Sequence, residues 1–263
     1  MKKIFVVSII FFAFLRAYAG DEILIVPAPE AGAFSNSDPT KALLWDQDSS
    51  KAVVVFIPGG DGFIKLNQAV PSSKVRGITK VVAMLTDPSV TSGTLSAAFL
   101  PSPYSLGTAH YPPARFSEEH IKRVVSVLKE IKEKTKKPIW LYGHSNGTIS
   151  TFEVFNYLQA KAEDDLLAGL IVSGSRNVIR LPEKINKPVL FIHHKDDGCE
   201  GTPYSDAYKH YEKLKAINSA RVSFATVTTH IEPAGNPCMS GVHMFDNDYE
   251  EVAKIIDGFV NAP

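Results

Sequence analysis

Residues 51–57 read Lys-Ala-Val-Val-Val-Phe-Ile, an apolar run that is continuous rather than alternating. That pattern is expected of a parallel strand whose two faces are both covered by helices. Glu22 to Val26 and Lys41 to Trp45 read as two shorter early strands, separated by a loop rich in Pro, Ala, Gly and Ser. Downstream, helical and extended periods alternate. Val75, Ile78, Val81, Val82 and Leu85 fall at helical spacing, and Leu95 to Leu100 is extended. Ser117 is placed as an N-cap, with Glu118 and Glu119 in the first turn of a helix running to about Lys136, whose lysine-rich end suits the helix dipole. Pro138 to Tyr142 is a strand, and Thr148 to Ala162 a helix carrying Ile149, Phe152, Phe155, Tyr157 and Leu158. Leu167 to Ser173 and Pro188 to His193 are further strands, joined by only 14 residues. A helix over Tyr204–Ala216, a strand over Arg221–Thr228 and a closing helix over Tyr249–Val260 complete the series. This alternation predicts an α/β domain with one doubly wound, mainly parallel sheet and helices on both faces. No internal repeat or linker divides it.

Composition narrows the class. With 263 residues, 44% of them hydrophobic, and a formal charge of zero, the chain can bury one large core and offers no long-range attraction to nucleic acid or anionic lipid. At the N-terminus, Lys2 and Lys3 precede an apolar stretch from Ile4 to Leu15 and a small-x-small site, Ala17-Tyr18-Ala19. This reads as a secretory signal peptide over residues 1–19, leaving a domain over 20–263 in a secreted or periplasmic protein. The stretch falls short of the roughly 20 apolar residues a membrane-spanning helix needs, so no stable anchor is expected. Export favours a disulfide between Cys199 and Cys238, which are too few and too widely spaced for a zinc site. Closing that loop is worth about 4 kcal/mol in the chain-entropy model.

Candidate chemistry centres on Gly143-His144-Ser145-Asn146-Gly147, which fits G-x-S-x-G between a strand and a helix. A turn of this kind presents the serine hydroxyl outward as a nucleophile, with N–H groups at the helix start facing the reacting carbonyl oxygen. Gly143 and Gly147 let the backbone come that close. A second glycine-rich turn, Pro58-Gly59-Gly60-Asp61-Gly62, follows the central strand.

With these features the chain resembles a member of the α/β-hydrolase superfamily from about Lys51 to the C-terminus. The resemblance implies the order serine, acid, histidine. For the acid, the strand ending at His193 runs into His194-Lys195-Asp196-Asp197, which is similar to the family's strand followed by G-x-x-D. Setting His194 on that glycine puts Asp197 in the catalytic place, with Asp196 as the alternative. For the base, His243 lies between the last strand and the last helix, where the family keeps its histidine, and His230 is the second choice. His110, His120 and His210 read as solvated, and His144 is the variable residue of the elbow. For the oxyanion hole, the resemblance implies the N–H of Asn146 and a second donor from the early loop, Gly60 with Asp61 as the alternative. A Cys199–Cys238 bridge would tie the acid loop to the base loop and so has a positional value.

The implied chemistry is hydrolysis of a small carboxylic ester through an acyl-enzyme, needing no cofactor or metal. The same residues could serve a peptidase or amidase, and the fold could persist in a non-catalytic binding protein. The short 174–187 link leaves no room for a lid domain, although residues 101–116, with Tyr104 and Tyr111, could line a pocket.

Overall fold

The computed structural model describes residues 21–29, 37–107, 112–218 and 220–262. The signal-peptide stretch, His110 and Tyr111 lie outside the described residues. Eight strands form one sheet: β1 (Asp21–Val26), β2 (Thr40–Trp45), β3 (Ala52–Ile57), β4 (Leu95–Phe99), β5 (Ile139–His144), β6 (Leu167–Ser173), β7 (Val189–His194) and β8 (Val222–Val227). Their spatial order is β1-β2-β4-β3-β5-β6-β7-β8. The first two are antiparallel to their neighbours, and every pairing from β4 through β3 to β8 is parallel.

The continuous apolar run has the cause expected from its pattern. In β3, Val53, Val55 and Ile57 point into one core while Ala52, Val54 and Phe56 point into the other. The first core is covered by α2 (Glu118–Thr135), α3 (Asn146–Ala160) and, through Leu214, α4 (Tyr204–Ile217). The second is covered by α1 (Thr79–Met84) and α5 (Tyr249–Asn261). With helices on both faces, the parallel strands end together along one edge, and the loops that follow β3, β5, β6, β7 and β8 cluster there.

Local signals explain the helix ends. The Ser117 hydroxyl accepts the His120 N–H, Glu118 and Glu119 occupy the first turn of α2, and Lys136 closes it at φ 59°. Two expectations change. The helical spacing from Val75 to Leu85 yields only α1, because Val75 is extended and Gly77 at φ 60° interrupts the backbone before Thr79. His120, expected at the surface, is only 4% exposed, since the first turn of α2 packs against α3 and its ring meets Ser150 at 2.8 Å.

Candidate active site

Ser145 sits between β5 and α3 at φ 52°, ψ −123°, a backbone region that L-residues avoid. The surroundings over-determine it. Its N–H donates to Ser173 O at 2.9 Å, and its carbonyl accepts the Thr148 N–H at 2.9 Å and the Thr148 hydroxyl at 2.7 Å. The glycines permit the sharp turn: a Cβ on Gly143 would lie 2.3 Å from Thr151 Oγ1, and one on Gly147 would lie 2.2 Å from Ile57 O. A Cβ on Gly59 would lie 2.8 Å from Ser145 Cβ, so the early glycine loop and the elbow are in direct contact.

Asp197 and His243, 46 residues apart, come together at the ends of the β7 and β8 loops. His243 Nδ1 lies 2.9 Å from Asp197 Oδ2. The same carboxylate oxygen accepts the Thr202 hydroxyl at 2.9 Å and faces His193 Nε2 at 3.2 Å, while Oδ1 accepts the Cys199 N–H at 2.9 Å. The His193 proton can be placed by elimination. Its Nδ1 receives the Ser175 N–H at 3.3 Å, and a backbone N–H only donates, so Nε2 carries the proton toward Asp197 and Thr202 O. Burial alone would push the Asp197 carboxyl up, but the hydrogen bonds directed at it by His193 and His243, with the electrostatic attraction of those imidazoles, carry it well below the usual carboxylate range.

His243 is 1% exposed, and its Nε2 pairs with nothing among the described residues. No hydrogen bond joins it to the Ser145 hydroxyl in this conformation. Its ring nevertheless packs against the elbow, with its centroid 5.0 Å from that of His144. The chain Tyr142 hydroxyl, Ser173 hydroxyl, His144 Nδ1 holds the His144 ring, with contacts of 2.9 and 3.0 Å. Burial, and then proximity to His243, push His144 well below its ordinary value, so it stays neutral beside the second imidazole.

The early loop carries Gly60 at φ 58°, which only glycine adopts without cost. The Asn146 side chain ties this loop to α3, donating from Nδ2 to Gly60 O at 2.9 Å while its Oδ1 accepts Arg176 Nη1 at 2.9 Å. The N–H of Asn146 lies at the start of α3, where a helix N-terminus gathers backbone donors.

The alternatives fall elsewhere. Asp196 is exposed, and its N–H donates to His194 Nδ1 at 3.0 Å; the opposite nitrogen of that ring meets Thr229 O at 2.6 Å. His230 is exposed and pairs with Glu232. Asp61 turns its carboxylate onto the Phe63 N–H. Tyr104 lies against the Arg123 guanidinium, 5.5 Å from ring centre to Cζ. A surface recess lined by Asp196, His230, Glu232 and Ser240 contains neither Ser145 nor His243. Among the described residues, no group of three or more His, Cys, Asp or Glu side chains is arranged to hold a metal ion.

Cys199 and Cys238 are joined in a disulfide with Cα atoms 4.6 Å apart. Cys199 is two residues beyond Asp197 and donates its N–H to it, so the bridge anchors the Asp197 loop to the segment leading into His243. Replacing both cysteines with alanine is expected to lower kcat per folded molecule by about tenfold, because small displacements of reacting groups are costly. Rates normalised to the folded fraction check this, and unchanged turnover per folded molecule contradicts it.

His193, Thr202, Arg115 and Arg176 were not anticipated from the sequence. His193 carried a weak signal, as a polar residue ending an apolar strand four positions before Asp197. The other three lie in segments without a motif.

No protein-family model matches the chain, and no curated protein matches it. Solved structures do. A serine hydrolase homologue from Coxiella burnetii superposes with TM-score 0.59 at 13% identity, over 90% of this chain and 95% of that one. A dienelactone hydrolase from Anabaena variabilis gives 0.58 at 13% identity, over 92% and 97%. An α/β serine hydrolase without a lid from Xanthomonas campestris gives 0.52 at 13% identity, over 89% and 90%. The chain therefore has the α/β-hydrolase fold, with a single mainly parallel sheet.

Proposed function

We propose that this protein is an α/β-hydrolase-superfamily serine hydrolase that cleaves small carboxylic esters through an acyl-enzyme on Ser145. The observation that carries the reading is the 2.9 Å contact between His243 and Asp197 on the sheet edge where the strained Ser145 turn stands. In this mechanism the Ser145 hydroxyl swings toward His243 Nε2, which takes its proton as Oγ attacks the ester carbonyl. Asp197 holds the imidazole with its other nitrogen protonated and stabilises the cation that forms. The N–H groups of Asn146 and Gly60 face the carbonyl oxygen as it becomes an oxyanion. His243 then gives its proton to the departing alcohol, and water deacylates the serine by the same route in reverse.

Exposed apolar side chains stand on loops at the end of the sheet where Ser145 lies. Phe63, Ile64, Val178 and Met239 are 47%, 47%, 46% and 64% exposed, on loops following β3, β6 and β8. Solved structures of similar fold are named as serine hydrolases and esterases, which supports a hydrolase. A series of p-nitrophenyl esters of rising chain length, run beside the matched anilides with Ser145→Ala as the blank, tests the reading. Ester turnover above that blank is expected, with the anilides slower. Faster anilide turnover favours an amidase on the same residues, and no turnover of either favours a binding protein.

Export belongs to the same proposal. It rests on the basic and apolar start of the chain and on the disulfide. The mature protein is expected to begin at Gly20. N-terminal sequencing of protein expressed from the full reading frame checks this, and a retained Met1 contradicts it.

A further inference from the structure

Arg115 stands in the 3-10 turn Pro113–Phe116, ahead of α2, and is 0% exposed. One of its terminal nitrogens, Nη2, faces three successive carbonyls of the early loop: Pro58 O at 3.0 Å, Gly59 O at 3.3 Å and Gly60 O at 3.1 Å. The other, Nη1, donates at 2.9 Å to Ser150 Oγ on α3, which is braced in turn by His120 Nε2 at 2.8 Å. Burial lowers the guanidinium from its usual range to about 9, with the charge of Asp61 acting in the opposite direction, so it remains a cation at neutral pH.

Hiding a charge this deeply is unfavourable unless its donors are used. Here the two terminal nitrogens act on the loop's geometry and on α3, while Nε is buried with no partner among the described residues. A trans peptide directs its C=O and N–H to opposite sides. Gathering the Gly59 and Gly60 carbonyls onto the guanidinium therefore turns the N–H groups of Gly60 and Asp61 away from it. Neither N–H donates to any group among the described residues, and Gly59, beside them, abuts Ser145.

We propose that Arg115 is a positioning residue for the oxyanion site. Its guanidinium orients the Pro58–Gly60 peptides so that the Gly60 N–H faces the ester oxygen. It also fastens that loop to α3, whose first residue, Asn146, supplies the other N–H. Arginine is required because a planar fork reaches the loop and Ser150 together, whereas a lysine ammonium is a single point charge. The proposal rests on the acyl-transfer reading above and names a residue that the reading does not need for its proton chemistry.

The test compares Arg115→Met and Arg115→Lys with wild type. Misdirecting one oxyanion donor predicts a fall in kcat of roughly a hundredfold for Arg115→Met, with KM within about threefold. Arg115→Lys restores charge without the fork and is expected to recover only part of that loss. Affinity for a trifluoromethyl ketone, which forms an oxyanion on the serine, falls in parallel with kcat/KM, and a merely structural role would not produce that correlation. If Arg115→Met does not fold, Arg115→Lys decides. A folded variant with wild-type kcat, or one whose kcat falls while ketone affinity holds, overturns the clamp alone. A wild-type protein that neither hydrolyses esters nor binds the ketone overturns the acyl-transfer reading, and the clamp falls with it.

Discussion

Ser145→Ala is expected to lower kcat for a p-nitrophenyl ester by roughly a millionfold, the scale seen when a serine nucleophile is removed while binding and oxyanion donors remain. That corresponds to about 8 kcal/mol of transition-state stabilisation. The fold tolerates the change, because alanine keeps the Cβ that Gly59 packs against, and the turn is held by main-chain contacts to Ser173 and Thr148 rather than by the hydroxyl alone. Backbone strain also stays, since alanine gains nothing at φ 52°. Activity should therefore collapse with the melting temperature almost unmoved. A residual rate within a hundredfold of wild type, in protein free of contaminating esterase, would place the nucleophile elsewhere.

Asp197→Asn is expected to cost about ten-thousandfold in kcat at neutral pH. The carboxylate accepts on both oxygens: His243, His193 and Thr202 converge on Oδ2, and the Cys199 N–H takes Oδ1. An asparagine has one acceptor oxygen and one NH2. If the oxygen faces the histidines, the NH2 opposes the Cys199 N–H, and if it is flipped, the NH2 opposes His243 in its working tautomer. Either arrangement leaves buried donors in opposition, so stability falls as well. The pH dependence has a definite sign. Burial opposes the charged form of Asp197, but His193 and His243 hold its pKa below the unfolded value. Its stabilisation is thus fully present above the ordinary carboxylate range and disappears as pH falls through the depressed folded value. Urea melts between neutral and acidic pH should show that component in wild type and lack it in Asp197→Asn. An identical acid slope in both contradicts the account.

What was legible in the sequence was what local pattern encodes. The strand at 52–57, the elbow glycines and the Ser117 cap each depend on residues within a few positions of one another, and each forms as its pattern implies. The different placement of Asp197 and Asp196, which the sequence left open, is a turn effect: the chain leaves β7 with His194 bonded to both Asp196 N–H and Thr229 O, and the next carboxylate turns inward. Arg115 was not legible. Its function depends on carbonyls 55 to 57 residues earlier and a serine 35 residues later, and nothing near it in sequence marks it as buried. His120 misled for the opposite reason: a histidine in the first turn of a helix reads as solvated, while the helix turns its ring toward α3. His193 required the Ser175 N–H to reveal where its proton lies.

Fluorophosphonate labelling of the folded wild-type protein, followed by peptide mass mapping, tests the central claim most directly. One adduct is expected, on Ser145, forming slowly or not at all in His243→Ala because the hydroxyl then has no base. Folded protein that takes no label, or takes it on another residue with His243→Ala reacting at the wild-type rate, would contradict a Ser145–His243–Asp197 centre.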